Sequence, residues 1–243
     1  RVQKEWRLAN TVTYDKSKLL TKDDKLNVML GQELTSSKYT DTNMTSVGFD
    51  KDTTIDQVLA QMGNGVALPT QTYIGINDNM SSFFGRLNYT LKDRYLLTAT
   101  LRADGSSRFS SGNRWGVFPS VALAWRINEE AFMRNSQDWL SNLKLRLSYG
   151  TAGNNRIDAS YMYTTYALAG TSDRTIYFNE AAAPMLQHGV MLANPGLKWE
   201  TTITRNLGVD FGLFNNRVTG SVDVYWNTTK DLLMRTTLPG ASG

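Results

Sequence analysis

Residues 82–126, SFFGRLNYTLKDRYLLTATLRADGSSRFSSGNRWGVFPSVALAWR, decide the fold. They divide into three runs, 83–91, 94–104 and 115–126, separated first by Lys92-Asp93 and then by the Gly/Ser-rich GSSRFSSGNR. In the first run Phe83, Gly85, Leu87, Tyr89 and Leu91 alternate with Phe84, Arg86, Asn88 and Thr90. In the second, Tyr95, Leu97, Ala99, Leu101 and Ala103 alternate with Leu96, Thr98, Thr100, Arg102 and Asp104. A period of two held this long describes strands with one apolar and one polar face.

Working outward, five further runs carry the same signal: 2–14, 25–35, 142–151, 201–213 and 217–228. The last two flank Asn215-Asn216, a tight-turn pair. A short helix is expected around 54–62, capped by Asp52 or Thr53 and stopped by Gly63, and one helical turn in INEEAFM, started by Asn128. Residues 36–81 and 152–200 read as long irregular stretches, the second holding a possible short strand in YMYTTYALAG. The connections therefore run short, long, short, moderate, moderate, long, short. With antiparallel neighbours, short turns gather on one rim and long loops on the other, apart from the moderate INEEAFM segment on the short-turn rim.

Composition narrows the chemistry. The 243 residues contain no cysteine and a single histidine, His188, which excludes disulfides, thiolate metal sites and a His-rich metal site. The net charge of +4 is spread thinly, so no basic stripe points to nucleic acid. No apolar run reaches the ~18–20 residues of a transmembrane helix, but barrel strands alternate and escape that criterion. Arg1 falls inside strand-like sequence, no signal peptide is visible, and LPGASG is an abrupt end, so the expectation is a piece of a longer chain.

Alternation alone fits a soluble β-sandwich as well as a membrane barrel. Three features favour the barrel. The runs exceed ordinary strands and match the ~9–11 residues needed to cross a bilayer at a tilt. The apolar faces end in aromatics, with Tyr14, Tyr89, Tyr95, Trp125 and Phe211 toward the short turns and Trp115, Tyr149 and Trp226 toward the long loops. The other face carries Arg86, Arg102, Asp104, Lys144, Arg146, Asp210 and Asp223, acceptable in a wet lumen but not in hydrocarbon. Arg205 breaks parity; near the long-loop end, it is expected to snorkel to the interface.

LRADGSSRFSSGNRWGVFPSVALAWRINEEAFM and LSNLKLRLSYGTAGNN, then NPGLKWETT and NLGVDFGLFNNRVTGSVDVYWNTTKDLL, resemble the barrel of SusC/RagA-like TonB-dependent outer-membrane transporters, in order and spacing over most of 82–235. The resemblance implies an all-β, antiparallel transmembrane segment, about eight strands of a 22-stranded barrel, with short periplasmic turns and long extracellular loops. Residues 1–243 would be part of one barrel domain, with the plug, signal peptide, TonB-contacting segment and remaining strands outside it. It also implies a Gram-negative outer-membrane location, lipid contact, a SusD-like surface lipoprotein partner, coupling to TonB, and import of an oligosaccharide or peptide. The alternative is a soluble β-sandwich carbohydrate-binding module.

No catalytic site is expected. His188, in AAAPMLQHGV, has no nucleophile or acid at a triad-like spacing. The candidate substrate-binding residues are the loop aromatics Tyr161, Tyr163, Tyr166 and Tyr177, with Phe178 beside them, since flat rings stack on sugars and pack peptide side chains; the alternative is that they pack the long loop onto itself or its neighbours. Asp104 and Arg108 of ADGSSRF join them, either as a lumen-facing cluster touching substrate or as the lock of a strand-to-loop turn. A calcium site from Asp104 with Asp210 or Asp223 lacks the spacing of a calcium loop. No metal and no cofactor are expected.

Overall fold

The computed structural model describes residues 1–49, 54–136, 138–164 and 192–236, and the backbone alone in 166–168, 176–178, 181–183 and 186–188. Eight long strands form its sheet: β1 Val2–Ser17, β2 Asp24–Asn43, β3 Asp78–Leu91, β4 Tyr95–Ser106, β5 Trp115–Arg126, β6 Leu140–Asn154, β7 Glu200–Leu213 and β8 Val218–Lys230. Each pairs antiparallel with its neighbour in sequence, so spatial order is chain order. Among the described residues β1 and β8 each have one partner, and the sheet is open. Among the described residues the remaining sheets are two-stranded ribbons within loops, and none is large enough to form a second layer. The sandwich alternative is thereby set aside.

Register turns the alternation into a continuous wall. Leu30, Gly85, Leu101 and Pro119 lie side by side across four strands, and Leu97, Leu123, Leu147, Leu207 and Val224 across five. The face they form is exposed: Val12, Leu101 and Val222 are 73%, 55% and 59% accessible. The opposite face spends its polarity internally. Arg7 pairs with Glu33, Asn88 and Asn27 form a ladder to Asp15, and Arg146 holds both Asp210 and Asp223. An exposed apolar band backed by a hydrogen-bonded charged face is a wall between lipid and water. Ten residues separate Trp115 from Trp125, about 33 Å along the strand or roughly 25 Å at the usual tilt.

The inner rim is built from tight turns. Lys92 and Asp93 have φ of 52° and 51°, a left-handed pair, and Arg94 closes the turn by donating its N–H to the Leu91 carbonyl at 3.0 Å, so three residues link Leu91 to its partner Tyr95. The second inner turn comprises four residues, Phe214–Arg217, not the Asn215-Asn216 pair alone. Asp24, buried at the β1–β2 turn, accepts bonds from the backbone N–H groups of Leu19, Leu20 and Thr21 and from the Tyr89 hydroxyl. INEEAFM forms two 3-10 turns, Ile127–Glu129 and Ala131–Ser136, the first entered from Arg126. Asn128 does not start it; its side-chain oxygen accepts from the Leu143 N–H, fastening the turn to β6.

Glu130 clamps the inner aromatic row. It accepts from the Tyr95 hydroxyl, the Trp125 indole at 3.0 Å and Arg94 at 3.1 Å, beneath a stacked Tyr95–Trp125 pair. The Tyr95 and Trp125 hydrogen bonds, helped by Arg94, outweigh burial and hold its carboxyl below the usual glutamate range. The clamp's contribution is therefore complete above the ordinary glutamate pKa of about 4.3 and lost as pH falls through the lower folded value. In the full-length protein, Glu130→Gln should flatten the acid limb of the thermal-stability profile while lowering the neutral plateau. An unchanged acid limb would remove Glu130 from the rim's electrostatics.

The outer half departs most from expectation. β2 continues to Asn43, its tip carrying the short strand Gln71–Ile74, and β3 begins at Asp78, so 36–81 is not wholly irregular. Above the membrane neither face need be apolar, and Ser, Thr, Lys and Tyr give no alternation to read. The helix α1, Ile55–Ala60, is capped by Thr54 in a box with Gln57 and ends at Gln61, replacing the expected Asp52 or Thr53 cap and Gly63 stop.

Candidate functional site

Pro119 sets the site's position. Pairing of β5 with β6 begins only at Ser120–Gly150, because the preceding proline has no N–H to offer. Beyond it the two strands part, and inward-facing Phe118 fills the gap. Its ring lies so close to Gly116 and Gly153 that a Cβ at either would collide with it. Trp199, at the foot of β7, meets Phe118 edge-on at 5.3 Å and Phe109 at 5.5 Å, and its indole donates to the Arg114 carbonyl at 2.8 Å. Phe109, Phe118 and Trp199 are buried, flanked by Met80, Ile157, Leu197 and Leu233. This aromatic knot ties the β4–β5 and β6–β7 loops to the wall.

Asp104 and Arg108 hold the knot separately and are not partners of each other. Asp104 is 4% accessible; its Oδ2 accepts from Arg102 at 2.8 Å, and Arg102 also donates to Ser82 at 3.0 Å. Arg108 pairs with Asp78 at the start of β3 and donates to the carbonyls of Asn155 and Ile157. Asn155 in turn donates to Ser106 at 3.1 Å. One guanidinium thus fastens the roots of all three outer loops. Calcium finds no cage here: Asp210 and Asp223 bracket Arg146 three and four strands away from Asp104, and among the described residues no three His, Asp or Glu side chains converge.

Beyond the knot lies an exposed mouth. Tyr161 lies within a 3-10 turn, Ala159–Met162, whose N-cap Asp158 accepts from the Ser160 N–H at 2.8 Å. Arg235 stacks over the Tyr161 ring at 5.0 Å, and Tyr163 is 57% accessible. The bonds from Ser160, with Arg108 and Arg235 adding positive charge, hold the Asp158 carboxyl below its ordinary range. Tyr39 and Tyr73 face each other at 5.8 Å on the β2 extension. A hydrogen bond with Tyr39 and the charge of Asp158 push the Tyr73 hydroxyl up. Rings, one carboxylate and two guanidinium groups at the lumen's outer end suit a flexible, hydrogen-bonding solute.

Tyr166 and Tyr177 lie in two loop ribbons, Tyr166–Leu168 with Leu186–His188 and Ile176–Phe178 with Ala181–Ala183. Their side chains, and those of Phe178 and His188, fall outside the described residues. The structure therefore brings Arg108, Asp158 and Tyr161 into one neighbourhood and seats Asp104 deeper, under the knot. Sequence reading missed Asp78, Tyr39, Tyr73, Asp158 and Trp199. Pro119 inside a strand pattern was the available signal for the last, and an Asp before Ala-Ser-Tyr the signal for Asp158. Arg205 was anticipated: its guanidinium lies 5.9 Å over Tyr149 and reaches outward to Thr228.

The comparisons agree with this architecture. A family model described as TonB dependent receptor-like, beta-barrel, matches residues 3–243. The TonB-dependent receptor SusC of Bacteroides thetaiotaomicron is 42% identical over 172 residues, 71% of this chain and 17% of that protein. TonB-dependent receptor P26 of Formosa agariphila is 35% identical over 243 residues, 99% of this chain and 23% of its own. The solved RagAB peptide transporter superposes with a TM-score of 0.78 at 29% identity, covering 99% of this chain and 25% of that one. The chain thus spans a quarter or less of these relatives' lengths.

Proposed function

The chain belongs to the TonB-dependent receptor β-barrel family, of the SusC/RagA type, and from that premise we propose that it forms part of the wall and outer mouth of a Gram-negative outer-membrane nutrient importer. The observation that carries this reading is the exposed apolar band between two aromatic rows, with a hydrogen-bonded charged face behind it. Residues 1–243 are then one barrel segment of a longer protein whose plug and TonB-contacting segment lie elsewhere, working with a SusD-like surface lipoprotein as lid. The cargo is an oligosaccharide or a peptide; a peptide is the cargo named for RagAB.

Within the mouth, Tyr161, Tyr163, Tyr166 and Tyr177 contact cargo, while Asp104 and Arg108 act through the loops they hold. Replacing the four tyrosines with Ala in the full-length transporter, produced with its lipoprotein, tests this by calorimetric titration with oligosaccharide and peptide mixtures. Each ring that stacks contributes about 1 kcal/mol, so affinity should fall by more than a hundredfold if all four engage. Wild-type affinity in an assembled variant would remove the tyrosines from cargo binding.

A further inference from the structure

The chain holds one Asn-Gly pair, Asn64-Gly65, and one Asp-Gly pair, Asp104-Gly105. Both are chemically fragile in the same way. With no Cβ on the glycine, its backbone nitrogen can swing onto the carbonyl carbon of the preceding side chain and close a five-membered imide. The fold decides which of the two is free to do so.

Asp104-Gly105 is locked. Asp104 is 4% accessible and its carboxylate accepts from Arg102. Gly105 lies in β4 with Ser81 on one side and Trp115 on the other, so a swing of its nitrogen would break the ladder. Asn64-Gly65 has no such restraint. Asn64 is exposed and ends a three-residue 3-10 turn, Met62–Asn64, in the β2–β3 loop behind α1. Hydrogen-bond geometry in such turns is poor, and the Gly65 N–H reaches the Met62 carbonyl only at 3.4 Å, longer than an ordinary bond of this kind. Among the described residues the Asn64 carboxamide is tied through Nδ2 alone, which donates to Gln61 at 2.8 Å. Packing nevertheless demands the glycine. A Cβ at position 65 would lie 2.7 Å from the Phe49 ring, so a bulkier, protective residue has no room.

We propose that Asn64 is a site of spontaneous deamidation in the folded protein. The Gly65 nitrogen bonds to the Asn64 Cγ, the Cγ–Nδ2 bond breaks, and the side-chain nitrogen leaves as ammonia with the proton of the Gly65 N–H. Solvent water then opens the imide at either carbonyl, leaving aspartate or isoaspartate at position 64. Either product removes the donor that Gln61 now receives. Isoaspartate also lengthens the backbone by one methylene just before Val66, which pairs with Val47 in a two-stranded ribbon, and so loosens the loop. None of this depends on what the protein transports.

The test incubates the full-length protein, folded in detergent, in mildly alkaline buffer and follows it by peptide mapping and by isoaspartate methyltransferase labelling. The peptide carrying Asn64 should gain one dalton and take up the label, while the peptide carrying Asp104 should take up label only after denaturation. Asn64→Gln should abolish labelling in the β2–β3 loop, because glutamine must close a six-membered imide and does so far more slowly. Its exposed side chain should leave assembly unchanged, as heat-modifiable mobility reads. An Asn64 peptide that stays intact in the folded protein yet deamidates once denatured overturns the site. Labelling of Asp104 at the same rate in the folded protein overturns the protection by the ladder on which the distinction rests.

Discussion

Leu101→Arg should block assembly of the full-length protein in the outer membrane. Leu101 lies opposite Gly85 and Pro119 on the outward face, four rows from Trp115 and six from Trp125, close to the middle of the apolar band. It is 55% exposed with no polar group of its own wall to receive a guanidinium. A mid-bilayer Arg costs about 2–4 kcal/mol, a large share of a stability that totals only about 5–15 kcal/mol. Ser120→Lys, one residue from Pro119 but on the inward face between Thr100 and Gly150, should assemble normally. Heat-modifiable electrophoretic mobility of outer-membrane fractions reads both variants. If Ser120→Lys were the damaging one, the faces would be reversed; if both assembled, the band would not be in lipid.

How much of this was legible depended on whether one face of a strand had to be apolar. From Trp115 to Arg126 it did, and the strand bounds read from sequence coincide with those observed. Leu97, Leu123 and Leu147 likewise fall in one row because each occupies the same parity as its neighbour. Outside the membrane that constraint lapses. The stretch from Ser36 to Asn43 is extended and paired on both sides in part, yet its Ser, Thr, Lys and Tyr side chains face water in either register. Nothing in a period of two could reveal it.

The candidate site was less legible for a different reason. Asp104 and Arg108 stand out in sequence as a polar pair around a glycine turn, and the tempting inference is a mutual ion pair. Their true partners, Arg102 two residues back and Asp78 thirty residues back, depend on tertiary register and on where the β2–β3 loop returns. Trp199 carried a family resemblance but no role until Pro119 was seen to end the β5–β6 ladder. Phe118 fills the gap that proline opens, and the indole packs edge-on against that ring. A broken rule within a strand pattern marked the site better than any polar motif did.

The same reasoning gives Trp199→Ala a large and localised effect. Truncating a buried tryptophan costs about 3–5 kcal/mol. Here it removes two aromatic contacts, leaves Phe118 stranded above Gly116 and Gly153, and takes the indole donor from the Arg114 carbonyl. The eight-stranded ladder does not pass through Trp199, so the barrel should still assemble while the β6–β7 loop opens. A loss of 3 kcal/mol raises the open population of the loop about a hundredfold, and protease cleavage within 155–198 of outer-membrane vesicles should accelerate accordingly. Tyr163→Ala, on the same loop but exposed, should leave the cleavage rate alone. Equal rates in wild type and Trp199→Ala would mean that the loop is held from elsewhere. Failed assembly would instead make Trp199 part of the wall's folding core.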